Sequence, residues 1–326
     1  MKKSPKRLVF FNEKFIPENE AKISIYDSAL MFGDMVFEMT RSFKGKQFLL
    51  EKHIDRLLFG LKILRVPLKY NKKQIIDFCH KTIEVNKYAF EKDDEHRLMI
   101  DVSRGLLGIY DGIEGLHSGP NLIIADFPLR WTVRSMGKLF DTGINAVITS
   151  QRAIPSELMD PKIKNRSRMF YLTANIEASL FKGENNWALL LDVNGFISEG
   201  TGDNFFIIKD NKVFTPKGKD ILRGISRDYV MNNLCKELKI KIYEKNFEPY
   251  DVYAADEAFM TGTPFCMLPV TSLNGLKIGD GRRGKIFNKL LSKWSENIGL
   301  NIEAQIKNWD KKNQKDVSGV TPYKFK

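Results

Sequence analysis

The stretch that decides the reading is Asn194-Gly195-Phe196-Ile197-Ser198-Glu199-Gly200-Thr201-Gly202-Asp203-Asn204-Phe205. Before it, Trp187 to Val193 is an apolar run of strand length, suited to a strand covered on both faces. Asn194-Gly195 forces a tight turn, and Phe205 to Ile208 with Val213-Phe214 predicts a further hairpin around Asp210-Asn211. Glu199 therefore falls at a strand-to-loop junction among glycines, which let another group approach the backbone closely. Alone, Ser-Glu-Gly marks a turn more often than a site, so its meaning depends on its surroundings.

Working outward, Met169, Leu172, Thr173, Ile176 and Leu180 mark a helix closed by Gly183. Ser226 is suited to cap a helix carrying Tyr229, Val230, Leu234 and Leu238. Nearer the N-terminus, Leu8 to Ile16 predicts a hairpin, and Val36 to Phe43 with Gln47 to Leu50 a second one turning at Lys44-Gly45. Ile54, Leu57, Leu58, Leu61 and Leu64 recur at helical spacing up to Pro67, and a further helix is expected over Lys72 to Lys87. Strands at Arg97 to Ser103 and Asn121 to Phe127 complete an α+β first domain. Periodicity is lost over Pro128 to Leu139, the candidate linker. The expected organisation is an N-terminal α+β domain over 1–127, a linker over 128–142, a C-terminal domain over 143–305 and a basic tail over 306–326.

The formal charge of +12 invites a nucleic-acid reading, but it sits at the ends: +4 in residues 1–7 and +4 in residues 307–326, leaving +4 for the whole body. So small an excess describes an ordinary solvated surface carrying lysine-rich tails, not a nucleic-acid footprint. Leu8 to Phe11 is too short for the apolar core of a signal peptide, and no later run reaches membrane-spanning length, so a cytoplasmic location is expected. Cys79, Cys235 and Cys266 are odd in number, far apart and without CxxC spacing, which suggests neither a disulfide framework nor a zinc site.

Six segments in fixed order then carry a resemblance. Phe32-Gly33-Asp34-Met35-Val36-Phe37-Glu38 is similar to FGDxVFE, His53-Ile54-Asp55-Arg56-Leu57 to HxxRL, and Lys164-Asn165-Arg166-Ser167-Arg168 to a Lys-x-x-Asn-Arg segment. The Glu199 stretch is similar to NGxxSEGxxxNxF, Leu222-Arg223-Gly224-Ile225-Ser226-Arg227 to LPGITR, and Ala255-Asp256-Glu257-Ala258-Phe259-Met260-Thr261-Gly262-Thr263 to ADEVFxxGT. Together they resemble the class IV aminotransferases: branched-chain aminotransferase, D-amino-acid aminotransferase and aminodeoxychorismate lyase. The likeness spans roughly residues 8–305.

That resemblance implies a two-domain α+β fold with a smaller N-terminal and a larger C-terminal domain, a homodimer, and pyridoxal 5'-phosphate as cofactor. It implies that Lys164 carries the cofactor, fourteen residues before Ala178 as in the D-amino-acid enzymes, with Lys162 as the competing lysine. Arg166 and Arg168 are cations placed to keep such an amine partly neutral. Glu199 meets the pyridine nitrogen, while Arg56, Gly224, Ile225, Ser226 and Thr263 hold the phosphate, the amides of Ile225 and Ser226 doing so at a helix start. The substrate residues form a mosaic. Phe37 and Arg41 match the branched-chain branch, and Ser103-Arg104-Gly105 matches the D-amino-acid and lyase branch. Against the first stands Pro264, which lacks the N–H that branched-chain enzymes direct at the α-carboxylate. Against the second, its tyrosine is Phe37 and its histidine Leu106. The first-ranked expectation is transfer of an amino group between a branched-chain or other apolar amino acid and a 2-oxo acid. A D-amino-acid aminotransferase and a lyase are the alternatives. Of the two arginines, Arg104 is expected to meet the substrate carboxylate, and Arg41 to be buried for structure because it shares a strand face with Phe37 and Met39.

Overall fold

The computed structural model describes residues 6–312. The expected tails fall largely outside this range. In chain order the elements of the first compact unit are β1 (Leu8–Phe11), β2 (Lys14–Pro17), α1 (Ser28–Phe32), β3 (Met35–Met39), β4 (Ser42–Phe43), β5 (Lys46–Gln47), α2 (Leu50–Ile63), α3 (Lys72–Asn86), β6 (His96–Ser103) and β7 (Asn121–Pro128). Five of the strands form an antiparallel sheet in the order β2-β1-β7-β6-β3. The apolar stripes of α2 and α3 cover one face of it, burying Ile54, Leu57 and Leu61 with Ile75 and Cys79 against Val36, Leu98, Ile100 and Ile124. Asn71 and Gln74 exchange side-chain and main-chain bonds at the start of α3, a reciprocal cap that fixes where this helix begins.

The expected strand over Val36 to Phe43 is shorter in the structure. It stops at Met39, and the following turn is held by a side chain instead of a ladder: the Glu95 carboxylate accepts from Ser42 Oγ and from the amides of Lys44 and Gly45. Only Ser42–Phe43 and Lys46–Gln47 pair as a hairpin. Arg41 thus lies between strands.

The chain continues through α4 (Arg130–Val133), α5 (Leu139–Thr142), β8 (Ile144–Arg152), α6 (Met169–Ser179), β9 (Asn186–Leu191), β10 (Ile197–Gly200), β11 (Asn204–Lys209) and β12 (Lys212–Thr215). Then come α7 (Ile225–Tyr229), a π turn over Val230–Leu234, α8 (Cys235–Glu237), β13 (Ile242–Glu244), α9 (Pro249–Tyr253), β14 (Glu257–Gly262), β15 (Cys266–Leu273), β16 (Leu276–Lys277), α10 (Lys285–Ile298) and α11 (Ile302–Lys312). In this second unit the main sheet runs β10-β9-β8-β15-β14-β11-β12-β13, and β10 also pairs with β11. Six strands therefore close into a ring, with Glu199 opposite Asn204 at the closure. The closing turn needs Gly200, where an added Cβ would stand 2.2 Å from Asp203 Oδ1.

The two units are not contiguous in sequence. Of the described residues, 6–131 and 163–168 form one, and 132–162 and 169–312 the other. The linker expected over 128–142 contains α4 and α5, and the boundary expected at 305 falls inside α11. Return of 163–168 to the first unit has a visible cause: Ile163 is an apolar side chain buried in that unit's core.

Candidate active site

Lys164 belongs to the first unit and is fixed there by its backbone. Phe37 N donates to Lys164 O at 2.8 Å and Arg166 N to Met35 O at 2.9 Å, so the segment runs as an added strand beside β3, with Val36 bridged to Asn165. Lys164 Nζ lies 4.7 Å from the centroid of the Phe37 ring, which also carries the guanidiniums of Arg166 at 3.8 Å and Arg168 at 5.6 Å. The competing Lys162 is engaged elsewhere, with Asp160 and the carbonyl of Lys219.

Strand alternation sorts the neighbours. Phe37 and Met39 stand opposite Asp101 and Met99, with Arg97 next along the same face of β6. Glu38 turns the other way, under α2, where His53 Nδ1 lies 2.7 Å from Oε2 and Arg56 donates through Nε at 2.6 Å and Nη2 at 2.9 Å. Burial alone raises the carboxyl of Glu38, but Arg56 and His53 outweigh it and hold it at about 2. Burial pushes His53 down against the pull of Glu38. Arg56, expected at a phosphate, thus has its guanidinium oriented by a buried carboxylate.

Arg41 is 1% exposed, with its guanidinium 3.9 Å over the Phe43 ring and Nε donating to Ser42 O. Arg104, expected to point at a substrate carboxylate, has its donors in use: Nε on Asp34 at 2.6 Å, Nη1 on Arg65 O, and Nη2 on Leu64 O and Asp34. Arg97 was read from sequence only as a strand residue. It is buried, and among the described residues Nε and Nη1 make no hydrogen bond and Nη2 reaches only Met39 Sδ at 3.5 Å. Burial, with the nearby Arg41 cation, pushes it down to about 9. A basic residue in an apolar strand pattern was the available signal, and a buried cation without a carboxylate marks a place for an anion.

In the second unit, Glu199 is 4% exposed and accepts from Tyr171 Oη at 2.9 Å, Asn204 Nδ2 at 2.9 Å and the amide of Leu222 at 3.1 Å. Tyr171 carried no distinguishing signal on the apolar α6. Next to this carboxylate, Asn204 pairs across the ladder with Thr261, whose hydroxyl is buried without a partner. Gly224, Ile225 and Ser226 open the helical run 225–237. The cap is Gly224, not Ser226 as expected, because Ser226 already lies inside the first turn, and no side chain caps the end. A Cβ on Gly224 would meet Asn204 Oδ1 at 2.1 Å. Arg223, standing where the similar motif has proline, donates Nε to Gly218 O. Thr263 and Pro264 lie in the turn between β14 and β15.

A buried carboxylate oriented by neutral donors, an orphaned hydroxyl on the neighbouring strand and an uncapped, partly buried helix start fit a polar, phosphate-bearing ring. These features define a class. The sequence profile described as amino-transferase class IV matches residues 35–273, and the chain belongs to this family. It is an enzyme with transaminase activity. More particularly, it is 35% identical over 289 residues, 88% of the chain and 95% of the relative, to a Methanocaldococcus jannaschii protein described provisionally as a branched-chain-amino-acid aminotransferase. It is 31% identical to the branched-chain-amino-acid aminotransferase of Salmonella typhimurium, covering 86% of this chain and 90% of that one. The crystal structure of the Escherichia coli branched-chain amino acid aminotransferase superposes with a TM-score of 0.80 at 27% identity, covering 91% and 95% of the two chains.

Proposed function

We propose that the enzyme holds pyridoxal 5'-phosphate and transfers the amino group of branched-chain or other apolar amino acids to a 2-oxo acid. The observation that carries this is Glu199, buried and oriented by three neutral donors at the closure of a strand ring. Lys164 takes the cofactor aldehyde, Glu199 the ring nitrogen, and Arg56, the amides of Ile225 and Ser226, and Thr263 the phosphate. Bound, this cofactor draws electrons away from the substrate α-carbon. Lys164 Nζ accepts the proton from that carbon and later releases it. Met39, partly exposed on the face of β3 that carries Phe37, offers the substrate side chain an apolar contact. The relatives' names support the substrate class. A cytoplasmic homodimer is the accompanying proposal; three buried, unbridged cysteines are compatible with a reducing compartment.

The test is a panel of L- and D-amino acids scored for conversion of the visible cofactor band to the pyridoxamine form, with borohydride labelling mapped to Lys164. Pyruvate release without an acceptor identifies a lyase instead. Arg97 supports a dicarboxylic acceptor, since its unbonded N–H groups suit a second carboxylate. Arg97→Met is expected to weaken 2-oxoglutarate roughly ten- to a hundredfold relative to a monocarboxylic acceptor in specificity constant.

A further inference from the structure

An amino-acid substrate carries a carboxylate on the carbon that bears its reacting amine, so a donor for it, a cation or a backbone N–H, is expected close to Lys164. Arg104 is committed to Asp34 and two carbonyls. Arg56 is clamped to Glu38, Arg41 is buried over Phe43, and Pro264 has no N–H. Arg166 differs from all of these. Its Nε and Nη2 donate to one oxygen of Asp101 at 3.0 and 2.7 Å, its side chain is 32% exposed, and Nη1 makes no hydrogen bond among the described residues. One edge of the guanidinium is thus spent on Asp101. The other edge, Nη1 with the second hydrogen of Nη2, matches a carboxylate in geometry.

Its placement is equally specific. Asp101 is the cross-strand partner of Phe37, and the guanidinium it grips lies over the Phe37 ring. Lys164 Nζ lies against the same ring, two residues back along a segment tied to β3 by two main-chain bonds. The arginine is therefore oriented before any substrate arrives, which lowers the ordering cost of binding. We propose that Arg166 receives the α-carboxylate of the substrate, with Asp101 as its positioning residue and Phe37 as its platform. This rests on the transamination reading above.

The test uses the wild-type holoenzyme with Arg166→Gln, Arg166→Lys and Asp101→Asn, each checked for the visible band of bound cofactor. One probe is 4-methylvalerate, a carboxylic acid with the leucine side chain and no amine, titrated by calorimetry. The other is the half-reaction rate with the leucine enantiomer the wild type converts, divided by that with 3-methylbutylamine, which lacks the carboxylate. Arg166→Gln is expected to weaken 4-methylvalerate and to lower the leucine-to-amine ratio, each by roughly ten- to a hundredfold. Arg166→Lys and Asp101→Asn fall between, because one keeps the charge without the fork and the other keeps the fork without its clamp. Should Arg166→Gln lose its cofactor band, the intermediate loss in Arg166→Lys and Asp101→Asn carries the test. Wild-type affinity and ratio in the Arg166 variants overturn the proposal, as does a wild-type enzyme that does not bind 4-methylvalerate. Arg166-dependent binding in an enzyme that converts no amino acid removes the transamination reading and leaves the carboxylate site standing.

Discussion

Glu38 and Glu199 are both buried glutamates, and the donors described on each are of different kinds. Glu38, in the first unit, is bonded to a guanidinium and an imidazole. Glu199, in the second, is held by a phenol, an amide side chain and a main-chain N–H. Cations bonded to a buried carboxylate make it a structural tie, whereas the neutral donors described on Glu199 fix the direction in which its carboxylate points. The roles proposed for the two therefore differ, a scaffold tie for Glu38 and contact with the cofactor ring for Glu199.

Substituting each glutamate by its amide tests that distinction. Glu38→Gln removes the carboxylate that Arg56 and His53 share and is expected to cost about 3–5 kcal/mol of stability, the loss typical of breaking a buried ion pair. Denaturant unfolding measures it; a loss below about 1 kcal/mol removes the structural reading. Glu199→Gln is expected to keep the fold and the cofactor while slowing the half-reaction on the order of a hundredfold, because a neutral amide does not favour a protonated ring nitrogen. Stopped-flow conversion to the pyridoxamine form checks this, and an unchanged rate takes Glu199 out of the mechanism.

The two glutamates also differ in how far they were legible. The stretch around Glu199 announces itself, since glycines and an Asn-Gly turn are local signals. Its partners Tyr171 and Leu222 come from elsewhere in the chain and are set by ring closure, which no local pattern encodes. Lys164 was placed by its spacing within a motif, while its return to the first unit depends on Ile163 finding a distant core. For the arginines, sequence supplied charge but not partners. Arg41 is buried as strand alternation suggested, although the strand ends before it. Arg104 spends its donors on Asp34 and on carbonyls at the end of α2, and the unbonded nitrogens of Arg97 follow from burial alone. Hydrogen-bond commitment is a tertiary property, so candidate carboxylate ligands of equal merit in sequence separate only in the fold.

Acid sharpens the comparison further. The carboxyl of Glu38 is depressed to about 2 in the folded chain, so its stabilisation is complete above the ordinary value of 4.5 and is lost as pH falls from there towards 2. Burial depresses His53, so below about pH 6.5 the unfolded chain takes up a proton that the folded one resists, and stability again declines. Asp101 and Asp126 are raised by burial and act in the opposite direction, so the wild-type curve alone does not isolate Glu38. The stability gap opened by Glu38→Gln does when both proteins compared carry His53→Gln, because Glu38 itself raises His53 and its removal would otherwise add to the acid loss of the variant. It is expected to narrow by about 1 kcal/mol between pH 7 and pH 4 from the Glu38 shift. A gap that stays constant or widens on acidification contradicts the assignment of that ion pair.

The smallest expected effect tests the neutral side of the comparison. Tyr171 Oη donates to Glu199 Oε1 at 2.9 Å, while Asn204 and the Leu222 amide hold the same carboxylate from β11 and the loop before α7. Tyr171→Phe removes one neutral donor and leaves the ring that packs against Phe170. A neutral hydrogen bond contributes about 0.5–1.5 kcal/mol, so the half-reaction is expected to slow roughly three- to tenfold with the fold retained. Had the tyrosine been a proton donor in the reaction, its removal would cost on the order of a hundredfold or more. A fall of that size in Tyr171→Phe, with a changed pH profile, makes Tyr171 a catalytic acid instead of a positioning residue. A three- to tenfold fall with the pH profile unchanged keeps it among the neutral donors that orient Glu199.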